Sequence, residues 1–505
     1  MDRRDFLVTS AATAAASALP CAAWAAPEMI AARLHAREVT GALPHIWEEC
    51  VGSDRAAITL RETWRQDIEL ARAELGIKRV RCHGILNDEL AVKAKTWMNY
   101  RGTTSFRNVA EVYDGLVSRG LSPFVELSFM PGMLASGEQT FGFYKGNITP
   151  PKSLDDWATF IKDFATFLIG RYGLNTVRQW PFEVWNEPNL IPFFTGTQAD
   201  YFQLYKATAV ALKSVDAGLQ VGGPATSATQ WVPEFLAFCA AENAPVDFVT
   251  THIYAGDYQP PIFGAGAPKL AQNDVIPAAI KQARARVRAS KFAKLPLYIN
   301  EWSSDSPAMI AHVLTNVLGE TEMMSHWVLS GTYEEIGPTD FWFSKGNMSW
   351  PMMMKRVPLP AYNTYRLMHA LGHERLLAEG PVLASRKAGG GIAALVWNLV
   401  ETAQPAGLPD SKAERKVVGG AKRIVLDLPG IKPGQALRIR YVDQARGSPR
   451  PAWAAMGEPK LPTLAQFETL RRAAQIPAPE IRRLGRDGKL VIDLPPEGVA
   501  LVETL

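Results

Sequence analysis

From about residue 43 to residue 335, short apolar runs alternate with longer amphipathic segments. This is the pattern of repeated strand and helix units laid around a parallel sheet. Eight runs read as strands: 45–51, 79–83, 123–129, 182–186, 220–225, 248–254, 297–302 and 326–333. Between them the apolar period lengthens from two to that of a helix. Leu60, Trp64, Ile68, Ala71 and Leu75 fall on one face, and Gly76 follows where a left-handed C-terminal cap belongs. Leu154, Trp157, Phe160, Ile161, Phe164, Phe167 and Leu168 make a broader stripe, predicted to end before Gly170. Eight such units in about 290 residues match the size of a (β/α)8 barrel, an α/β fold. Residues 40–357 are assigned to it.

Beyond residue 358 the runs become short and β-rich, at 392–399, 423–428, 437–442 and 490–494, each bounded by turn residues. A β-sandwich accessory domain over 358–505 follows. The segment 28–39, which precedes the barrel, is placed to add an edge strand to it. A polar stretch at 463–474 reads as a helix inserted between the later strands.

The first residues change the picture. Met1-Asp2-Arg3-Arg4-Asp5-Phe6-Leu7 leads into an Ala-rich run and then Ala23-Trp24-Ala25, which reads as a twin-arginine signal peptide over 1–25 with cleavage after Ala25. The run is too short and too rich in Ala for a membrane span, and no other stretch approaches the roughly 20 apolar residues one needs. A soluble, periplasmic or secreted mature protein is expected. Cleavage removes Cys21 and leaves Cys50, Cys82 and Cys239, whose spacing fits no metal motif and which read as buried thiols. A net charge of +4 without a Lys/Arg run excludes a nucleic-acid footprint. With no nucleotide-binding glycine fingerprint either, no cofactor or metal is expected. The 14 Trp and 13 Tyr supply flat apolar faces, which fill a core and also suit sugar rings.

The chemistry concentrates at two strand ends. Phe182-Glu183-Val184-Trp185-Asn186-Glu187-Pro188-Asn189 puts Glu187 at the C-terminal end of the fourth strand, and Leu295-Pro296-Leu297-Tyr298-Ile299-Asn300-Glu301-Trp302 puts Glu301 at that of the seventh. That face of a barrel carries the active site. One Glu after a strand reads as a surface or ion-paired carboxylate; two, facing one cleft, read as the pair that glycoside cleavage requires. One carboxyl must be protonated to serve the leaving oxygen, and one ionised to meet the anomeric carbon. Glu187 is assigned the raised pKa of the acid/base, and Glu301 the ionised role, helped by Tyr254 and Arg81. His83, His252 and Tyr254, at the ends of the second and sixth strands, are candidate contacts to an oligosaccharide or glycoside substrate, though either histidine alone equally fits a core role. Trp302 and Trp327 fit a platform for the ring or ordinary packing, and Glu334 near the eighth strand is a further substrate-binding candidate.

Taken together, Cys50-Val51-Gly52-Ser53, Arg81-Cys82-His83-Gly84, the stretches 182–190 and 297–302, Pro360-Ala361-Tyr362-Asn363 and the stretch 453–459 resemble glycoside hydrolase family 39. It belongs to the clan of retaining glycosidases with catalytic Glu on strands four and seven. The resemblance implies Glu187 as acid/base, Glu301 as nucleophile and Asn186 as ligand of the sugar 2-hydroxyl. It also implies an activity drawn from β-xylosidase, α-L-iduronidase or exopolysaccharide cleavage. β-Xyloside hydrolysis leads, because pentosides are the commonest family substrates, and a non-catalytic carbohydrate-binding barrel fits poorly with retention of both Glu. Retention further requires the carboxyl groups roughly 5 to 5.5 Å apart, against roughly 6.5 to 9.5 Å for inversion. The chain departs from the family at Ser330-Gly331-Thr332-Tyr333-Glu334-Glu335 and Phe343-Ser344-Lys345-Gly346-Asn347, where the subsite for C4 and C5 substituents is expected to differ.

Overall fold

A computed structural model describes residues 27–96, 99–331, 351–403 and 416–505. Its centre is a closed barrel of eight parallel strands in sequential order. Numbered along the chain, strands one to four are Val51–Arg55, Arg79–His83, Ser122–Leu127 and Pro181–Val184. Strands five to eight are Gln220–Thr226, Phe248–His252, Leu297–Trp302 and Met323–His326. Strand eight closes on strand one through His326 and Val51.

The first and last strands differ from the sequence expectation. Residues 45–50 form a turn, with Glu48 N–H donating to the His45 carbonyl at 2.9 Å. Ile46 and Trp47 are buried from that turn, so an apolar run there is packing and not pleat. Strand eight ends at His326; beyond it Leu329 crosses to strand one, its N–H on the Gly52 carbonyl at 2.9 Å.

The helices follow the apolar stripes. Glu62–Leu75 buries Trp64, Ile68, Ala71 and Leu75 and ends at Gly76 with φ 69°, a conformation that favours glycine. Leu60 lies before it in a 3-10 turn and is exposed. Leu154–Tyr172 runs through Gly170, around which there is open space, and stops at Gly173, where φ is 85°. Helix Pro360–His369 lies past residue 357 and packs against Glu62–Leu75 and Pro307–Asn316, filling the ring between the last and first barrel helices.

The accessory domain is a curled sheet of nine strands among the described residues. Strand Glu28–Ala42 sits inside it, antiparallel to Glu374–Glu379 and parallel to Lys422–Asp427. Along Lys489–Leu494 exposed and buried positions alternate, the mark of one wet and one packed face. Leu34, Val396, Ile424, Ile439 and Ile492 form its core. Helix Leu464–Ala473 starts on a capping box made by Thr463 and Gln466, and its Phe467 and Leu470 cover Met354, Val357 and Leu359 at the barrel's last turn. Cys50, Cys82 and Cys239 are buried free thiols, and burial pushes those of Cys50 and Cys239 up to about 12.

Candidate active site

The chain leaves strand four in an unusual backbone conformation. Trp185 and Glu187 have φ of 73° and 42°, left-handed values that cost a non-glycine residue roughly 1–3 kcal/mol each. Neighbouring contacts hold them there. Glu187 N–H donates to the Ala225 carbonyl at 2.8 Å, the Trp185 indole donates to the Phe193 carbonyl at 2.8 Å, and Tyr201 donates to the Val184 carbonyl at 3.0 Å. Asn189 brackets Ser227 through both ends of its amide. The strained turn aims Glu187 across the mouth toward Glu301.

Both carboxylates are nearly closed off, at 6% and 7% exposure. An oxygen of each lies within 4.8 Å of the other, with His252 between them. His252 Nδ1 is 3.0 Å from Glu187 Oε1 and 3.5 Å from Glu301 Oε2. Burial pushes this imidazole down to about 4, so it is neutral over the ordinary working range and carries one proton to share. Tyr254 donates its hydroxyl proton to Glu301 Oε1 at 2.6 Å, and Arg81 Nη1 donates to Glu301 Oε2 at 3.2 Å. Burial nonetheless moves the Glu301 carboxyl above the usual carboxylate range, with His252 and Arg81 opposing and the Glu187 charge adding to the rise. The sequence reading reserved a raised value for Glu187. In the structure it is Glu301 that desolvation raises.

Arg81 anchors the site from below. It is fully buried and reaches four oxygens: Glu183 Oε2, Glu126 Oε2 and Asn186 Oδ1 at 2.8 Å, and Glu301 Oε2 at 3.2 Å. Burial would raise Glu126, but Arg81 and His83 outweigh it and hold that carboxyl below its ordinary range. His83 Nδ1 bonds Glu126 at 2.7 Å, the Ser128 hydroxyl donates to the same carboxylate, and Asn300 Nδ2 donates to Glu183 at 2.7 Å. Removing a partner from so buried a network leaves an uncompensated charge, worth roughly 3–5 kcal/mol. Asn186 Nδ2 and His252 Nε2 are buried without a partner among the described residues, which leaves two polar atoms for a substrate hydroxyl.

Of the other candidates, Trp327 joins this group: its ring lies 4.4 Å from that of His83 and 6.0 Å from the Arg81 guanidinium. Gly52 makes room for it, since a Cβ there would come within 2.4 Å of the Trp327 ring. Trp302, which follows Glu301 on strand seven, is buried with its ring edge-on to His326. Glu334 lies outside the described residues. Glu126, Glu183 and Asn300 escaped the sequence reading, although a lone acid inside an apolar run, as at 123–129, was the available signal. Asp257 was also missed; it accepts the Tyr254 N–H at 2.9 Å, and burial pushes it up to about 7.

Glu187, His252 and Glu301 each offer a ligand atom that a cation could share. Arg81 and Tyr254 already engage the two oxygens of Glu301, however, and a guanidinium at 3.2 Å opposes a second cation. Tyr254→Phe removes the hydroxyl that donates to Glu301. A hydrogen bond to a charged group is worth about 1.5–3 kcal/mol, so kcat is expected to fall by about 10- to 100-fold with the melting temperature unchanged. Steady-state kinetics with thermal unfolding checks this, and an unaltered kcat would contradict it.

Comparison with known proteins places this geometry. The sequence model described as "Glycosyl hydrolases family 39" matches residues 30–490, and that of the twin-arginine translocation pathway signal sequence matches residues 1–20. The chain is 33% identical over 470 residues to a β-xylosidase of Caldicellulosiruptor saccharolyticus, covering 86% of this chain and 90% of that protein. It is 25% identical over 493 residues to human α-L-iduronidase, covering 85% of this chain and 70% of that protein. Among solved structures, a monomeric β-xylosidase from Caulobacter crescentus CB15 superposes with a TM-score of 0.80 at 29% identity, over 94% of this chain and 99% of that one. No helix among the described residues is long and apolar enough to cross a membrane, and the signal marks the protein for export to the periplasm or beyond. The chain belongs to glycosyl hydrolase family 39, and it is a glycoside hydrolase.

Proposed function

We propose that the protein is a retaining β-xylosidase that releases terminal xylose from xylo-oligosaccharides by double displacement. The observation that carries the mechanism is the close approach of Glu187 and Glu301, one oxygen of each lying within 4.8 Å of the other, which supports direct attack on the anomeric carbon over the wider spacing of an inverting pair. In the first step a Glu301 oxygen bonds to the anomeric carbon as the bond to the leaving oxygen breaks, and Glu187 delivers its proton to that oxygen. In the second, Glu187 takes a proton from water as the water oxygen displaces Glu301, restoring both groups. Arg81 and Tyr254 hold the attacking carboxylate in place, and His252 lies within reach of both carboxylates to stabilise the proton on one while the other carries charge. Asn186, fixed through its oxygen by Arg81, keeps its amide N–H groups for the sugar 2-hydroxyl, a contact that strengthens as positive charge develops on the ring.

The substrate assignment rests on the relatives. Two β-xylosidases match at 33% and 32% identity, each over at least 86% of this chain, whereas the α-L-iduronidases match at 25% or less. The low exposure of both carboxylates supports a pocket, and so release of a terminal sugar. Aryl glycosides of β-xylose, α-L-arabinose, β-glucose and α-L-iduronic acid test the assignment: kcat/KM is expected to be highest for the β-xyloside. A higher value on another member of the panel would overturn the substrate and leave the catalytic pair standing.

A further inference from the structure

On the face of the barrel opposite the catalytic mouth, three side chains that the reaction does not use converge. His45 and Glu48 lie in the turn before strand one, and His369 ends helix Pro360–His369. His45 Nδ1 is 2.6 Å and His369 Nδ1 2.8 Å from the same oxygen, Glu48 Oε1, and the three atoms lie within 4.8 Å of one another. His45 and Glu48 are buried, while the His369 side chain is 41% exposed, which gives a small ion a way in.

The arrangement asks for a cation. The other ring nitrogen of His45 faces the Gly372 carbonyl at 3.4 Å, the outer contact that a metal-ligating histidine usually makes, with its second N–H turned to a carbonyl. Two imidazoles crowd the one Glu48 oxygen. The cluster also stands at the C-terminal, negative end of a ten-residue helix. His373, its ring 4.5 Å from that of His45, is close by as a further ligand.

We propose that His45, Glu48 and His369 form a structural site for a divalent transition metal, with Zn²⁺ favoured by the His₂Glu donor set and a water or His373 completing a tetrahedron. Ligand arms of about 2.1 Å put neighbouring donors roughly 3.4 Å apart. The two contacts to Glu48 therefore open by roughly half an ångström or a little more on loading, which the exposed His369 accommodates. The ion ties the turn before strand one to the last barrel helix. It also reaches the accessory domain, because Leu43 N–H donates to the His373 carbonyl at 2.7 Å where that sheet begins.

The test uses chelator-stripped mature protein carrying Glu301→Gln, which removes one donor of the Glu187, His252 and Glu301 group and isolates the opposite face. Zn²⁺ is titrated against a chromophoric chelator, and thermal unfolding is followed with and without Zn²⁺. One equivalent of Zn²⁺ is expected to bind and to raise the melting temperature. Adding His369→Ala is expected to weaken binding by at least about tenfold and to abolish the shift, read against the melting temperature of the same variant without Zn²⁺. Failure to bind one equivalent, or equal binding and an equal shift with His369→Ala, would overturn the proposal.

Discussion

Glu301→Ala is expected to lower kcat by about 10⁴-fold or more on a β-xyloside, the scale seen when a residue that forms the covalent intermediate is deleted. The truncation leaves Arg81 Nη1 and the Tyr254 hydroxyl, which contact Glu301 at 3.2 and 2.6 Å, facing the vacated volume. A small anion fits there, on the side of the sugar opposite the leaving group. Azide is therefore expected to restore part of the rate and to yield a glycosyl azide of inverted configuration. Near wild-type turnover of an activated aryl glycoside by Glu301→Ala would remove Glu301 from the mechanism.

Glu187→Ala has a different signature because its loss falls on proton transfer. General acid catalysis is worth about 10²- to 10⁴-fold, and it matters most for a leaving group that cannot depart as an anion. Turnover of xylo-oligosaccharides is expected to fall toward the upper end of that range, while a dinitrophenyl β-xyloside still reacts in the first step and accumulates the glycosyl-enzyme as a burst. Added azide then gives a product of retained configuration, since the nucleophile is intact. Pre-steady-state kinetics on the two substrate types reads this directly. An equal loss on both would contradict the assignment of Glu187.

The sequence made the barrel legible where apolar runs are bounded by turns and buried as strands: strands two and seven occupy the bounds read from the chain, 79–83 and 297–302. It misled where apolar residues are buried without being strands. Ile46 and Trp47 pack from a turn, and Leu329 lies past the end of strand eight, yet each looks like pleat because burial leaves the same composition in both. Gly170 was read as a helix stop, but a glycine ends a helix only when its φ turns positive, and that falls to Gly173. The two Asn-Glu pairs stood out because each follows an apolar run directly. Arg81 was visible as one helper of Glu301; that it also gathers Glu126, Glu183 and Asn186 depends on strands two, three and four meeting in space, which no local pattern encodes.

The stereochemistry of the first-formed product tests the central claim most directly. Proton NMR of an aryl β-xyloside, recorded with enough enzyme to complete hydrolysis before the sugar mutarotates, distinguishes the two anomers by their H1 signals. Two displacements, one by Glu301 and one by water, predict that β-xylose appears first and the α anomer only later, by mutarotation. Initial release of α-xylose would mean a single displacement by water and would contradict the retaining mechanism proposed for Glu187 and Glu301.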